Sequence, residues 1–368
     1  MAYPEIIVNA LNQMQGPVTE VERHFLYLGL GTQNAGQLLS VNTQSDFDKL
    51  LDDGVLKDTL QAAMVNAGQN WSAAAYVLTA PEDWTQVVKD AQKTQSFEAV
   101  VHTVPTTDKA TVTAAQALYR ELIAKYGRWT FMMLALPGID ADSQTWSEYE
   151  AEMVAVQDTI AADGVMLVPD LLPQAIGKLA GRLCNRAVSI ADTPMRVKTG
   201  GLVGDVTLPI DSAGIELSTA TLQTLEANRL SVPAKFPDYD GIYWADGRLL
   251  DVEGGDFQVI ENRRVIDKIA RRVRLIAIAD IGDRSFNSTP ASTTRAKMRY
   301  TRPMRVMAKS TTIGQIVVPG EIESPADNAI AITWKTKNKV EIYITATPLD
   351  CPKSITAGLM LDLSSEAA

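Results

Sequence analysis

Apolar and polar residues follow two periods along the first half of the chain, where short apolar runs alternate with longer segments of helical spacing. The apolar runs are Phe25–Leu30, Ala74–Leu78, Ala99–Val104, Thr130–Leu136 and Val165–Val168. The helical segments are Leu56–Ala67, Trp84–Lys93, Ala110–Lys125 and Trp146–Ala161. Buried strands that alternate with helices are joined by right-handed crossovers, which produce a mostly parallel sheet. The pattern therefore predicts an α/β domain over residues 24–199, with helices on both faces of its sheet.

The second half of the chain has a different pattern. Gly, Pro, Ser and Thr are frequent over residues 200–240, which indicates a loop-rich connection with short strands. Residues 241–350 predict a smaller α+β domain that begins with a helix over Val259–Ile278. A second helix over Thr293–Lys309 is expected to kink or end at Pro303. The predicted strands are Ile313–Val318, Ala329–Trp334 and Val340–Thr347, with a hairpin turn at Lys337-Asn338.

Both ends of the chain are apolar, although terminal segments are usually polar. Glu5–Leu11, within residues 1–23, and Ile355–Leu363, within residues 351–368, are both strand-prone. Each segment either completes a sheet of its own domain or is added to the sheet of a neighbouring subunit, and the residues leave both alternatives open. The residues expected in the terminal strands are Ile6, Ile7, Val8, Leu359, Met360 and Leu361.

Charge is distributed unevenly. The formal net charge is −10, yet residues 259–309 contain thirteen basic and four acidic residues, a local net charge of +9. Three interpretations remain: a solvated helix face, a nucleic-acid contact, or a contact with an acidic protein surface. The nucleic-acid alternative is the weakest, because Phe286 and Tyr300 are the only aromatic residues there that could stack on bases.

The remaining composition narrows the class of protein. A chain of 368 residues is long enough for two domains, because single cores stop growing at about 250–300 residues. Cys184 and Cys351 are far apart and lack CxxC spacing, which argues against a disulfide framework or a zinc site. No apolar run approaches the ~20 residues that span a bilayer, so neither membrane insertion nor classical secretion is expected.

Catalytic motifs are largely absent. Gly29–Gly36 follows a strand, but it lacks the lysine and hydroxyl residues of a phosphate loop. Asp140 and Asp142 follow a predicted strand, where α/β enzymes often place their sites, although acids after a Pro-Gly turn usually solvate a loop. His24 and His102 are interpreted as packed residues. We predict no catalytic, cofactor-binding or metal-binding residue, and an α/β enzyme acting on a small substrate or nucleotide is the alternative function.

Several short motifs occur in the order found in contractile phage tail sheath proteins. They are Tyr3–Val8 (YPEIIV), Phe25–Gly29 (FLYLG), Leu136-Pro137-Gly138, the AGR of Ala180-Gly181-Arg182, Gly241–Arg248 (GIYWADGR) and Val259–Ile269 with Arg263-Arg264. These resemble, in turn, the family's opening YPGVYV-type strand, its first apolar strand, its PG turn, its AGR helix, its WGARTL stretch and its INVRR helix. The sequence departs from the pattern at Asp246-Gly247, and the large outer insertion domains of the family are not apparent.

The resemblance implies a structural subunit rather than an enzyme. Six subunits would form each ring, rings would stack helically around a tail tube, and contraction would drive the tube through the host envelope. The terminal segments would exchange between subunits, and the C-terminal domain would face the tube through basic residues, for which we select Arg264, Lys268, Arg271 and Arg272. Implied partners are further copies of the chain, the tail tube protein, and the baseplate and tail terminator proteins, with no direct nucleic-acid contact. The resemblance implies assembly in the host cytoplasm and a place in the virion tail.

Overall fold

The computed structural model describes residues 21–81, 84–313 and 316–358, and the chain divides into two compact units between Asp283 and Arg284. The strands of the first unit are β1 (Phe25–Leu30), β2 (Leu38–Asn42), β3 (Ser72–Leu78), β4 (Ala99–His102), β5 (Phe131–Leu136), β6 (Val165–Pro169), β7 (Pro233–Phe236) and β8 (Tyr239–Trp244). Its helices are α1 (Phe47–Leu50), α2 (Val55–Ala67), α3 (Trp84–Thr94), α4 (Lys109–Glu121), α5 (Trp146–Gln157), α6 (Ala175–Cys184), α7 (Thr219–Ala227) and α8 (Ile260–Asp280). Within the described ranges, no helix combines the length and the apolar character needed to cross a membrane.

Six strands of the first unit form one sheet in the order β2-β3-β1-β4-β5-β6. Only β2 is antiparallel to its neighbour, and the other pairs are parallel. Successive residues of a strand point to opposite faces, so Phe25 and Tyr27 enter the core that includes α2 and α6, whereas Leu26 and Leu28 enter the core that includes α3, α4 and α5. The prediction of a mostly parallel sheet covered on both faces is confirmed.

The AGR motif allows two helices to approach closely. A Cβ atom on Gly181 would lie 2.3 Å from the carbonyl oxygen of Ala63, and one on Gly177 would lie 2.5 Å from that of Thr59. Only glycine therefore lets α6 lie directly against the backbone of α2. The third residue of the motif, Arg182, donates hydrogen bonds to three loop carbonyls, those of Pro194, Arg196 and Gly200. Burial lowers the pKa of this guanidinium to about 10.

The first unit extends past the domain boundary expected at residue 241. Trp244, Leu249, Leu250 and Ile260 are fully buried within its two cores. Helix α8 also belongs to it, because its arginines bond to residues of the sheet domain. A pattern of helical spacing does not reveal which sheet a helix packs on, so the sequence alone assigned α8 to the following domain.

The second unit is a small α+β domain. Its elements are α9 (Pro290–Met307), β9 (Thr311–Ile313), β10 (Ile316–Val318), β11 (Ile330–Thr336) and β12 (Lys339–Ile344). Strands β9 and β10 form one antiparallel pair, and β11 and β12 form another with the expected turn at Lys337-Asn338. The ring centre of Phe286 lies 6.4 Å from the ring centre of Tyr300 on α9 and 5.4 Å from that of Trp334 on β11. These aromatic contacts join the helix to the hairpin.

Two details of this unit differ from expectation. The helix does not end at Pro303, because α9 continues through it to Met307. Tyr300, Met304 and Met307 pack on the buried side of α9, and this packing outweighs the backbone hydrogen bond that proline removes. The run Ile313–Val318 is also not a single strand, since β9 ends at Ile313 and β10 begins at Ile316.

Candidate assembly surfaces

Helix α8 lies along the edge of the sheet at which the parallel strands begin. Its arginines donate to acceptors that come shortly before four strands: Glu22 before β1, Glu98 before β4, the Trp129 carbonyl before β5 and Asp163 before β6. Parallel strands start at one common edge, so their entry loops bring these acceptors together. The helix is therefore fastened to the sheet by charge as well as by apolar packing.

The Glu98–Arg264 ion pair is the most deeply buried of these contacts. The Arg264 Nε and Nη2 atoms lie 2.8 and 2.9 Å from the two carboxylate oxygens, and both side chains are 1% exposed. Burial by itself would raise the pKa of Glu98, but the charge and hydrogen bonds of Arg264 hold that pKa below its ordinary value. The geometry is bidentate, which is the strongest arrangement for this pair of groups.

A second buried contact lies one residue earlier on the helix. Arg263 donates to the Asp267 carboxylate at 2.6 and 3.0 Å, reaches Asp163 at 3.5 Å, and lies over the Phe257 ring at 3.9 Å from its centre. Burial raises the pKa of Asp267 to about 6, although Arg263 and Arg271 act in the opposite direction. This carboxylate thus titrates closer to neutrality than an exposed aspartate.

The four basic residues selected from the sequence do not form one exposed face. Arg264 is buried with Glu98, and Arg271 donates to Glu22 at 3.0 Å and to the Trp129 carbonyl at 3.1 Å. Lys268 and Arg272 are half-buried. Arg264 is therefore not part of a surface that a partner could contact, because its charge is used inside the first unit.

A continuous basic stripe lies instead on α9. Its exposed side chains are Arg295, Met298, Arg299, Arg302, Arg305 and Val306, and Lys309 follows just after the helix. No acidic residue occurs in α9, and within the described residues Arg295, Arg302 and Arg305 make no ion pair. The arginines of α9 are spaced by three and four residues, which places them on one face of a continuous helix. The sequence interpretation did not identify this face, because it expected the helix to kink or end at Pro303.

The hairpin of β11 and β12 is a sheet of only two strands within the described residues. Each strand therefore has one backbone edge with no strand partner there, which is the kind of edge that accepts an added strand. The chain then continues to Gly358 through exposed residues, which include Ile355 at 81% exposure. Ile6, Ile7, Val8, Leu359, Met360 and Leu361, expected in terminal strands, lie outside the described residues.

Carboxylates hold in place the two loops that an enzyme of this fold could use as a site. The Asp52 carboxylate accepts hydrogen bonds from the backbone amides of Thr32 and Gln33 at 2.6 and 2.7 Å. These bonds, led by that from Gln33, lower the pKa of Asp52. A bound phosphate group would need hydrogen bonds from the same two amides. The Asp52 carboxylate therefore occupies the position that a phosphate would take.

The Pro137–Asp142 loop is similar. Asp140 accepts from the Ser143 hydroxyl at 2.6 Å and from the Asp142 amide at 3.0 Å, and Glu148 forms the capping box of α5 with Thr145. The Asp140 carboxylate thus belongs to the loop structure rather than to a catalytic site, as the sequence interpretation expected, and Glu148 caps the helix that follows. His24 and His102 are buried, also as expected.

Comparisons of the sequence with known families and proteins cover nearly the whole chain. The model of the DUF2586 N-terminal domain matches residues 3–248, and that of the DUF2586 C-terminal domain matches residues 256–364. A protein of Haemophilus phage HP1 (strain HP1c1), assigned as its tail sheath protein, is 51% identical over 372 residues, which cover 99% of each chain.

Solved structures resemble this fold at low sequence identity. The contracted sheath of an extracellular contractile injection system named PVC matches with a TM-score of 0.66 and 12% identity, over 99% of this chain and 98% of the other. The contracted helical sheath of the anti-feeding prophage matches with a TM-score of 0.63 and 13% identity, over 98% of this chain and 99% of the other. A sheath tail protein from Listeria innocua matches with a TM-score of 0.58 and 12% identity, over 90% of this chain and 93% of the other.

Proposed function

This chain belongs to the DUF2586 family, and we propose that it is the structural subunit of a contractile phage tail sheath. The observation that carries the proposal is the 51% identity, over full length, to the tail sheath protein of phage HP1. The fold agrees, because contracted sheath subunits share it over nearly the whole chain. In this role the chain polymerises around a tail tube as stacked hexameric rings and shortens to drive the tube through the host envelope.

Polymerisation rests on the ends of the chain. Residues Ile6–Val8 and Leu359–Leu361 supply strands to neighbouring subunits, and the two-stranded β11–β12 sheet is the acceptor edge. Main-chain pairing is suited to this task because a hydrogen-bonded ladder resists separation while the linkers beside it bend. The linker on the C-terminal side lies near Pro348–Pro352. Contact with the baseplate and tail terminator occurs at the two ends of the polymer.

Deletion of residues 1–11 or of residues 355–368 tests the terminal strands. Each truncated protein is expected to remain a folded monomer, because residues 25–260 supply the two cores of the first unit, and to fail to polymerise. Electron microscopy and sedimentation give the readout. Truncated protein that still forms sheaths of normal length would contradict strand exchange.

Contact with the tail tube rests on charge. The basic stripe of α9 includes Arg295, Arg302 and Arg305, which make no ion pair among the described residues, so it favours an acidic partner surface. Exposed charges attract weakly and are screened over about 8–10 Å at physiological salt. A contact of this kind releases the tube at low energetic cost when the sheath contracts. Lys268 and Arg272 on α8 are secondary candidates, whereas Arg264 and Arg271 are occupied by carboxylates of their own unit.

Contraction is a transition from a metastable extended polymer. Kinetic barriers hold the extended state, and free energy is released as subunits tilt and gain lateral contacts. Assembly takes place in the host cytoplasm, and the product is part of the virion tail. Electron microscopy of the purified protein tests the proposed function: hollow tubules or cogwheel-shaped cross-sections are expected. Persistent monomers over a range of salt and protein concentrations, with and without tail tubes, would contradict it.

A further inference from the structure

One stripe of residues runs the length of α8 at spacings of three and four. Its members are Ile260, Arg264, Asp267, Arg271, Leu275 and Ile278. The first three are at most 1% exposed, and Arg271 binds the Glu22 carboxylate at 3.0 Å. The last two face water, with Leu275 67% and Ile278 48% exposed. The stripe therefore changes from buried to exposed immediately after Arg271.

Leu275 and Ile278 are exposed apolar side chains that lie in line with the buried residues of the stripe. This arrangement indicates that a further segment covers them. With a rise of 1.5 Å per residue, Ile278 lies only about 10 Å along the axis from Arg271. The segment that covers this surface must therefore pass close to Glu22, the partner of Arg271. Glu22 is the second described residue of the chain, so the described part of the chain begins at this end of the helix.

The residues before Glu22 have suitable length and composition. Leu11–Val18 contains no charged residue and has apolar side chains at Leu11, Met14 and Val18. Extended chain spans about 3.3–3.6 Å per residue. Val18 can therefore lie up to roughly 14 Å from Glu22 and Met14 up to roughly 28 Å, which covers the whole exposed part of the stripe.

We propose that Met14–Val18 of the same chain packs on the apolar surface formed by Leu275 and Ile278. The occupant belongs to the same chain because it is continuous with Glu22, which is already bonded to α8. This contact fixes the direction in which the N-terminal segment leaves the first unit, and it leaves Ile6–Val8 beyond it to reach a neighbour. The inference does not rest on the sheath function, so it can be tested on the isolated monomer.

Thiol labelling of full-length monomer provides the first test. Cys184 is buried and Cys351 is exposed, so Cys351→Ser gives a background in which Leu275→Cys introduces the accessible thiol. Adding Met14→Asp and Val18→Asp is expected to make maleimide label this thiol several-fold faster, because the covering segment is displaced. The matched control adds Gln13→Asp and Gln15→Asp, which bring the same charge and should leave the rate nearly unchanged. Equal rates for the two pairs would overturn the proposal.

Oxidative cross-linking provides a second test in the same background. Val18→Cys combined with Leu275→Cys or with Ile278→Cys is expected to give a disulfide within one chain, seen as a mobility shift of the monomer band. Ile276→Cys is the control, because it lies about 140° around the helix from Arg271 and should give much less product. A cross-link found only between two chains would overturn the proposal, as would equal yield at Ile276→Cys.

Discussion

The Glu98–Arg264 pair makes a sharp prediction about what fastens α8 to the sheet. Glu98→Gln keeps the shape of the side chain but removes its charge, which leaves the Arg264 guanidinium buried without its counterion. Both side chains are 1% exposed and are joined by two hydrogen bonds of 2.8 and 2.9 Å. Removing one partner of such a pair costs about 3–5 kcal/mol. We expect the free energy of unfolding, measured by equilibrium denaturation, to fall by that amount.

An exposed ion pair supplies the control. Asp90→Asn removes the partner of Lys93 on α3, where the atoms are 2.7 Å apart but the side chains are 53% and 58% exposed. This change should cost far less stability than Glu98→Gln, because water already solvates both charges and screens their attraction. The double variant Glu98→Gln with Arg264→Met should recover much of the lost stability, because no unpaired charge then remains buried. The reasoning is refuted if Glu98→Gln costs no more than Asp90→Asn.

Three further predictions concern packing, pH and charge. Gly181→Val should lower the free energy of unfolding by about 1–3 kcal/mol or more, because its Cβ would meet the Ala63 carbonyl at 2.3 Å. Asp267 has a folded pKa of about 6, above its ordinary 3.8, so its contribution to stability is full below about pH 4 and is lost as pH rises through 6. The stability difference between wild type and Asp267→Asn should change over that window by on the order of 3 kcal/mol. Arg302→Glu with Arg305→Glu should leave stability within about 0.5 kcal/mol but weaken assembly around tail tubes.

Each of these predictions has a control or an opposing result. Gly358→Val meets no atom within 4 Å and should be nearly neutral, so equal losses at the two glycines would contradict close packing of α6 on α2. A pH-independent difference for Asp267→Asn would mean that its pKa is not raised. Lys337→Glu reverses an exposed charge on the hairpin turn and should spare tube-templated assembly. If the α9 variant also forms tube-free polymers poorly, its arginines contact other subunits instead.

The sheet could be predicted well from the sequence because its signal is local. Each parallel strand is a short run buried on both faces, as Phe131–Leu136 shows, and each is bounded by turn or cap residues. Helix α4 begins after a capping residue, Asp108, whose carboxylate accepts from the Thr111 amide at 2.8 Å. Burial on both faces leaves few alternatives for such a run.

The surfaces were harder to predict because they depend on contacts between distant residues. Arg264 and Glu98 are 166 positions apart, and nothing in the local pattern distinguishes an arginine bonded inside a domain from one that faces solvent. The helical spacing of Arg264, Lys268, Arg271 and Arg272 therefore placed the exposed basic face on α8. The stripe on α9 could have been found by assigning its arginines to helical positions, had proline not suggested that the helix ended at Pro303.

Cryo-electron microscopy of intact tails would show whether this chain forms the outer layer of a contractile tail. We expect density for this fold in stacked six-fold rings around a tube, with strands donated between subunits and the arginines of α9 turned toward the tube. A tail whose outer layer is built from another chain would exclude this role, and rings in which both ends of every subunit fold back on their own domains would exclude strand exchange.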